Sequence, residues 1–200
     1  KAFFDDMAEK RINRVCLAMY GCWVVQYDGR VAEYLYLPIK KYPQLKTPMT
    51  VKYYSPEEDR WYNYETLPPI FRDGFMGELF RYAKDHAIDI VPGINSFGHN
   101  TLFPAQLHDV SPKDVNGVPQ LTGFCTSSDA TYELLFSVYD QIIDEYMIPN
   151  DMHDFNILLD EVWEDYGMNA EKMRTKLSPW CACPKCRTKK KSEIFIEHAV

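Results

Sequence analysis

Two groups of side chains in this 200-residue chain have types and spacing that do chemistry. The first is Asp160-Glu161, which closes the run Phe155-Asn156-Ile157-Leu158-Leu159. Asn156 to Leu159 reads as a buried strand, apolar on both faces from Ile157 on. The two carboxylates then fall at its carboxyl end, the edge where parallel α/β sheets and barrels bind ligands. Two ionised groups at the rim of a core are costly unless paired, hydrated or used. A second reading stays open, because acids also favour the first turn of a helix and Val162-Trp163-Glu164-Asp165 could begin one.

The second group is Cys181-Ala182-Cys183-Pro184-Lys185-Cys186, three thiols within six residues. Cys183-x-x-Cys186 has the spacing of a zinc or redox half-site. A structural zinc needs four ligands, so Cys181, Cys183 and Cys186 require a fourth. Cys125 and His198 qualify by type, and a ligand outside this chain would serve as well. A disulfide with one spare thiol, or three reduced structural cysteines, are the other readings.

The elements that must position these groups follow from length and pattern. Two hundred residues make one domain, or part of a larger one, and the apolar and aromatic content suffices for a full core. A net charge of -7 argues against a nucleic-acid partner. No apolar run approaches a membrane span. The basic cluster Arg187 to Lys191 reads as the solvated start of a helix. The chain begins at Lys1 and reads as part of a longer protein, so its targeting is not legible.

Lys1 to Arg11 has the pattern of an amphipathic helix, with Phe3, Phe4, Met7, Ala8 and Ile12 on one broad face. Arg14 to Tyr20 follows as a strand. Gly21 to Ile70 shows neither obvious helix nor strand, and holds eight tyrosines with Trp23 and Trp61. Tyr53-Tyr54 and Trp61-Tyr62-Asn63-Tyr64 are candidate sugar-stacking rings; packing of such rings onto the core is the alternative. Arg72 to His86 is a second helix, and Ile88 to Ile94 a strand broken by Pro92-Gly93. The polar turn Asn95 to Asn100 follows, with His99 as either a site residue or a turn histidine. Thr101 to Cys125 is irregular, with Asn116-Gly117 as a turn signal. Ser128 or Asp129 caps a third helix running to about Met147. The Asp160-Glu161 strand comes next, then a last helix from Lys190 to His198. This alternation of helices and strands means parallel strands with crossover connections. Three strands cannot close a barrel of eight.

Four places resemble the catalytic barrel of family 20 glycoside hydrolases, in that family's order. Met7-Ala8-Glu9-Lys10-Arg11-Ile12-Asn13 resembles its Asp-x-Met-Ala-x-x-Lys-x-Asn passage from helix to strand. Tyr82-Ala83-Lys84, then Ile88 through Pro92 to Gly98-His99, resembles Tyr-Ala-x-x-x-x-Ile-x-Val-Ile-Pro-Glu-Ile-Asp-x-Pro-Gly-His. Leu121 to Tyr132, with Cys125, resembles the Leu-Cys to Thr-Tyr approach to the next helix. Leu158-Leu159-Asp160-Glu161-Val162 resembles Gly-Gly-Asp-Glu-Val.

The resemblance implies a (β/α)8 TIM-barrel type of α/β fold. Residues 1–200 would form part of that single domain, about three strands and four helices. It implies a retaining glycosidase acting on terminal β-linked N-acetylhexosamine or a related sugar. Glu161 would be the general acid and base, and Asp160 the residue that orients the 2-acetamido group. His99, Asn95 and Trp23 are the candidate substrate-binding residues. Catalysis would need no cofactor, so any zinc at the cysteines would be structural. The partner would be a carbohydrate, and the compartment secreted or periplasmic. The departures are Ala18 and Gly21 for the family's His and Asp, Gly93 and Asn95 for its Glu and Asp, and Leu158-Leu159 for its Gly-Gly. They suggest a divergent branch. A barrel that only binds carbohydrate, and a metal-binding protein centred on Cys181, Cys183 and Cys186, are the alternatives.

Overall fold

The computed structural model describes residues 1–19, 24–25, 31–32, 37–46, 49–55, 57–66, 74–98, 100, 102–120, 123–159, 162 and 179–200. Helix α1 (Ala2–Glu9) buries Phe4 and leaves Phe3 55% exposed, so the broad face expected to include both is narrower. Arg11 stops the helix in the left-handed region (φ 58°), and Ile12 N–H closes back on the Met7 carbonyl at 2.9 Å. Strand β1 (Arg14–Ala18) follows directly.

The stretch expected to lack regular structure holds two antiparallel pairs. Val24–Val25 (β2) pairs with Val31–Ala32 (β3). Met49–Ser55 (β4) pairs along its whole length with Arg60–Thr66 (β5). The register sets Tyr53 opposite Tyr62 and Tyr54 opposite Trp61. Both strands are rich in β-branched and aromatic residues, and Tyr62, Tyr64 and Thr66 alternate with Asn63 and Glu65 as a ladder favours. The Pro-rich flanks conceal it in the sequence, and the turn between the strands carries Asp59 at φ 50°.

Helix α2 (Phe75–Asp85) starts after Gly74, whose φ of 67° suits glycine, and buries Met76, Phe80 and Ala83 at helical spacing. It hands over to β6 (Asp89–Gly93) through Ala87, another left-handed residue (φ 55°). Strand β6 lies parallel to β1, with Val15 opposite Ile90 and Ala18 opposite Gly93. Pro92 and Gly93 stay inside the strand, which corrects the expected break. The Pro92 carbonyl accepts the Asn156 N–H at 2.9 Å. Its missing N–H falls on that same flank, where pairing with Asn156 is only beginning.

A short helix α3 (Leu102–Gln106) and a long one, α4 (Asp129–Ile142), carry the chain back. Helix α4 buries Leu134, Leu135, Val138 and Ile142, then loosens into a π-helical turn (Ile143–Met147). There Tyr146 meets Phe80 of α2, ring centroids 5.5 Å apart. Ser128 is the residue before α4, but its hydroxyl donates to the Asp109 carbonyl (3.3 Å) instead of capping. At the start of the last helix, α5 (Lys191–Ala199), the Glu193 carboxylate accepts the Lys190 N–H at 2.9 Å.

Residues 155–159 add to the parallel pair on the far side of β6. Gly93 and Asn156 form a parallel bridge, and the ladder continues from Ile94 N–H to the Asn156 carbonyl at 3.2 Å. The order β1, β6, 155–159 matches the expected alternation. The segment is less enclosed than its apolar sequence implied, since Ile157 is 41% exposed. The core lies between the helices and this sheet, around Phe80, Ile88, Ile90, Phe97, Phe103, Phe124 and Leu134.

Candidate functional site

The carboxyl edge of the parallel strands is built by backbone pairing. Ser96 N–H donates to the Leu158 carbonyl at 3.0 Å, so the chain leaving β6 runs alongside residues 155–159 to Leu158. Leu159 is the last residue described there, and Asp160, Glu161, His99 and Trp23 lie outside the described residues. Asn95 is described, at 2% exposure on that edge. Its carbonyl accepts from Asn100 Nδ2 at 3.0 Å. Asn100 in turn takes the Phe103 N–H on Oδ1 (3.3 Å), which fixes the turn to the start of α3. Ala18 ends β1 opposite Gly93, while Gly21 lies outside the described residues.

Ser96 at this edge makes contacts with two helices that the sequence does not announce. The His198 Nε2 of α5 lies 3.2 Å from the hydroxyl of Ser96. Its ring packs against Phe97 and Tyr132, with centroids 5.1 and 5.8 Å away. Burial holds the His198 imidazole below its usual pKa, against a smaller opposing effect of Ser96. Burial also pushes the Tyr139 phenol up to about 12, with its hydrogen bond to Ser96 pulling the other way. Tyr139 packs on Phe155 at 5.0 Å, at the foot of the third strand. The small polar Ser96 is silent because its importance lies in contacts with helices far away in sequence.

The cysteines converge. Sγ atoms of Cys125, Cys181, Cys183 and Cys186 all lie within 4.8 Å of one another. Cys125 and Cys183 sulfurs are 3.9 Å apart, and no described cysteine is in a disulfide. Cys125 is thus the fourth member, and His198, the other candidate by type, sits on Ser96 instead. Gly123, at φ 76°, makes the approach possible, since a Cβ there would meet Pro179 backbone at 2.7 Å. Ala182 N–H bonds to the Lys113 carbonyl at 2.6 Å and locks the two segments together. Backbone N–H groups point at the sulfurs: Lys113 and Cys183 at Cys181 (3.2 and 3.4 Å), Cys186 at Cys183 (3.5 Å). The hydrogen bond from Cys125 lowers the Cys181 thiol to about 5, and the same bond together with burial raises Cys125.

The family model for the glycosyl hydrolase family 20 catalytic domain matches residues 32–198. No curated protein matches by sequence. Among solved structures, a β-N-acetylhexosaminidase is similar at 19% identity and TM-score 0.59, covering 98% of this chain and 39% of that one. A β-N-acetylhexosaminidase from Bacteroides fragilis is similar at 18% identity and TM-score 0.57, over 98% of this chain and 33% of that one. The Flavobacterium johnsoniae chitobiase is similar at 18% identity and TM-score 0.56, over 98% of this chain and 26% of that one. The chain therefore spans well under half the length of these neighbours, and shares their fold along nearly all of its own. With five-sixths of its residues matched by the family model, the chain belongs to glycosyl hydrolase family 20 as part of the catalytic domain.

Proposed function

We propose that the protein is a retaining, substrate-assisted glycosidase acting on terminal β-linked N-acetylhexosamine, within a complete (β/α)8 barrel. One observation carries the reading: residues 155–158 pair in parallel beside β6, and Asp160-Glu161 follow Leu159 directly in sequence. Adjacent carboxylates do not readily serve on opposite sides of one glycosidic bond. A sugar that brings its own nucleophile removes that requirement. The 2-acetamido oxygen bonds to the anomeric carbon as the glycosidic C–O bond breaks, and Glu161 gives its proton to the leaving oxygen. Asp160 holds the acetamido N–H and offsets the positive charge of the oxazolinium. Glu161, now a carboxylate, takes a proton from water. The water oxygen bonds to the anomeric carbon and restores the acetamide. Two inversions at one carbon retain its configuration.

The test is hydrolysis of a chromogenic β-N-acetylglucosaminide by the intact protein, beside Glu161→Gln and Asp160→Asn. Each variant is expected to lose roughly 10²–10⁴-fold in kcat/KM. Ala18, Gly21 and Asn95 stand where the resembled pattern has ionisable residues, and they favour a second reading, a barrel that holds the sugar without cleaving it. An intact protein that binds N-acetylglucosamine yet cleaves no glycoside would establish that reading instead.

A further inference from the structure

We propose that Cys125, Cys181, Cys183 and Cys186 bind one zinc ion as a closed, structural tetrathiolate site. Four sulfurs on a tetrahedron around zinc, at about 2.3 Å from the metal, lie about 3.8 Å apart. The mutual limit of 4.8 Å and the 3.9 Å between Cys125 and Cys183 place the thiols one small adjustment from that figure. The distances also exceed any S–S bond, so oxidation is not what gathers them.

The surroundings suit thiolates. Three backbone N–H groups donate to Cys181 and Cys183, and such donors stabilise negative sulfur. Four thiolates around a divalent cation leave two negative charges. Lys185 and Arg187 flank Cys186 in sequence, and Lys189, paired with Glu197, lies close enough to interact electrostatically with Cys186. Cys125, Cys181 and Cys186 are buried and Cys183 is half-buried, which closes the site to an exchangeable water. A closed all-sulfur set is the pattern of structural zinc, not of a catalytic ion with an open position.

The site joins two segments far apart in sequence. From Pro179 onward the chain is tied to the segment before α4, through the four sulfurs and the Ala182 N–H on the Lys113 carbonyl. Helix α5 begins five residues after Cys186 and carries His198 to Ser96 at the carboxyl edge. The ion would thus fix one end of the segment that follows the acid pair. This assignment does not depend on the glycosidase reading.

The experiment is metal analysis of the intact protein, purified without chelator and dialysed exhaustively. One zinc per chain is expected, and mercurial titration of the cluster should release it in step with loss of four thiols. Cobalt in its place should give the sulfur charge-transfer and d–d bands of a tetrahedral site. Cys125→Ser should abolish stoichiometric zinc, while Cys16→Ser, at an exposed thiol outside the cluster, should keep it. If Cys125→Ser does not fold, the mercurial titration of the unaltered protein decides. Zinc below one-tenth equivalent with all four thiols freely reactive would overturn the proposal. So would stoichiometric iron in place of zinc, or a disulfide among the four.

Discussion

Leu158 occupies the space that a side chain on Gly93 would need. A Cβ built on Gly93 comes within 2.9 Å of Leu158 Cδ1 and 3.3 Å of the Asn156 carbonyl oxygen. The family pattern resembled here has a large residue at the first position and a small one at the second, and this chain has the reverse. The two departures are therefore one exchange of volume between neighbouring strands. The Leu158 tip can rotate away, but the Asn156 carbonyl belongs to the ladder and cannot. Gly93→Ala is expected to cost about 1–3 kcal/mol. Gly93→Glu should cost more alone than combined with Leu158→Gly. Denaturant midpoints of both singles and the double variant would measure the coupling, expected in the range of ~0.5–3 kcal/mol. Strict additivity would show that the two positions do not share that space.

Gly123 sets a second close approach, with backbone as the obstacle. Its φ of 76° disfavours any side chain, and Pro179 Cα and carbonyl oxygen stand 2.7 Å from the point a methyl group would occupy. Gly123→Ala should cost at least ~2 kcal/mol, from strain and overpacking together. Because Cys125 lies two residues on, the same variant should lower bound zinc. Retention of one zinc per chain in Gly123→Ala would separate the glycine from the cluster.

The buried His198 makes stability depend on pH with a definite sign. Its folded pKa is below the unfolded value, so the unfolded chain binds the extra proton first. Its contribution is intact above the unfolded value of about 6.5 and is lost as pH falls toward the folded pKa. His198→Phe should flatten this part of the profile, since Phe97 and Tyr132 already form an aromatic pocket there. Unfolding free energies at about pH 7.5 and 5.5, on either side of the ordinary histidine range, would check it in both proteins. An unchanged difference between the two pH values would remove His198 as the cause.

Arg14 spans the starts of all three parallel segments. Its guanidinium reaches Asp154 at 2.9 Å and Asp89 at 3.8 Å. All three side chains are at least half exposed, so solvent screens the pairs. Arg14→Met should therefore cost only about 0.2–1 kcal/mol, and less in high salt. A loss of several kcal/mol would mean that the pair with Asp154 is far better shielded than its exposure indicates.

The sequence is most informative where local pattern and long-range packing agree. Phe80 and Ala83, or Leu135 and Ile142, repeat at helical spacing, and the helices lie where that spacing indicates. The hairpin of Tyr53, Tyr54 and Trp61 is concealed because six prolines between Gly21 and Ile70 dominate the local signal, although strand alternation is present. Pro92 misleads for a related reason: proline is tolerated in a strand when its missing N–H faces a flank whose ladder has barely begun. At the edge, Asn95 carries a family position and so is visible. Ser96 and His198 are not, because their contact joins residues 102 positions apart. Cys181, Cys183 and Cys186 announce themselves by spacing, whereas choosing Cys125 over His198 needs three dimensions.

The gap between the halves of the cysteine cluster also orders events as the chain folds. Three thiols sit within six residues and meet by local motion, but Cys125 and Cys183 are 58 positions apart. Bringing them together closes a loop that contains all of α4 and the third parallel segment. That closure carries an entropic cost, which grows slowly with loop length and must be met by the packing of those elements. A chain in which α4 is still undocked presents three adjacent thiols and no fourth. Once folded, three of the four are buried. The rate at which the fourth thiol becomes protected is therefore a clock for the docking of α4, readable by pulse alkylation during refolding.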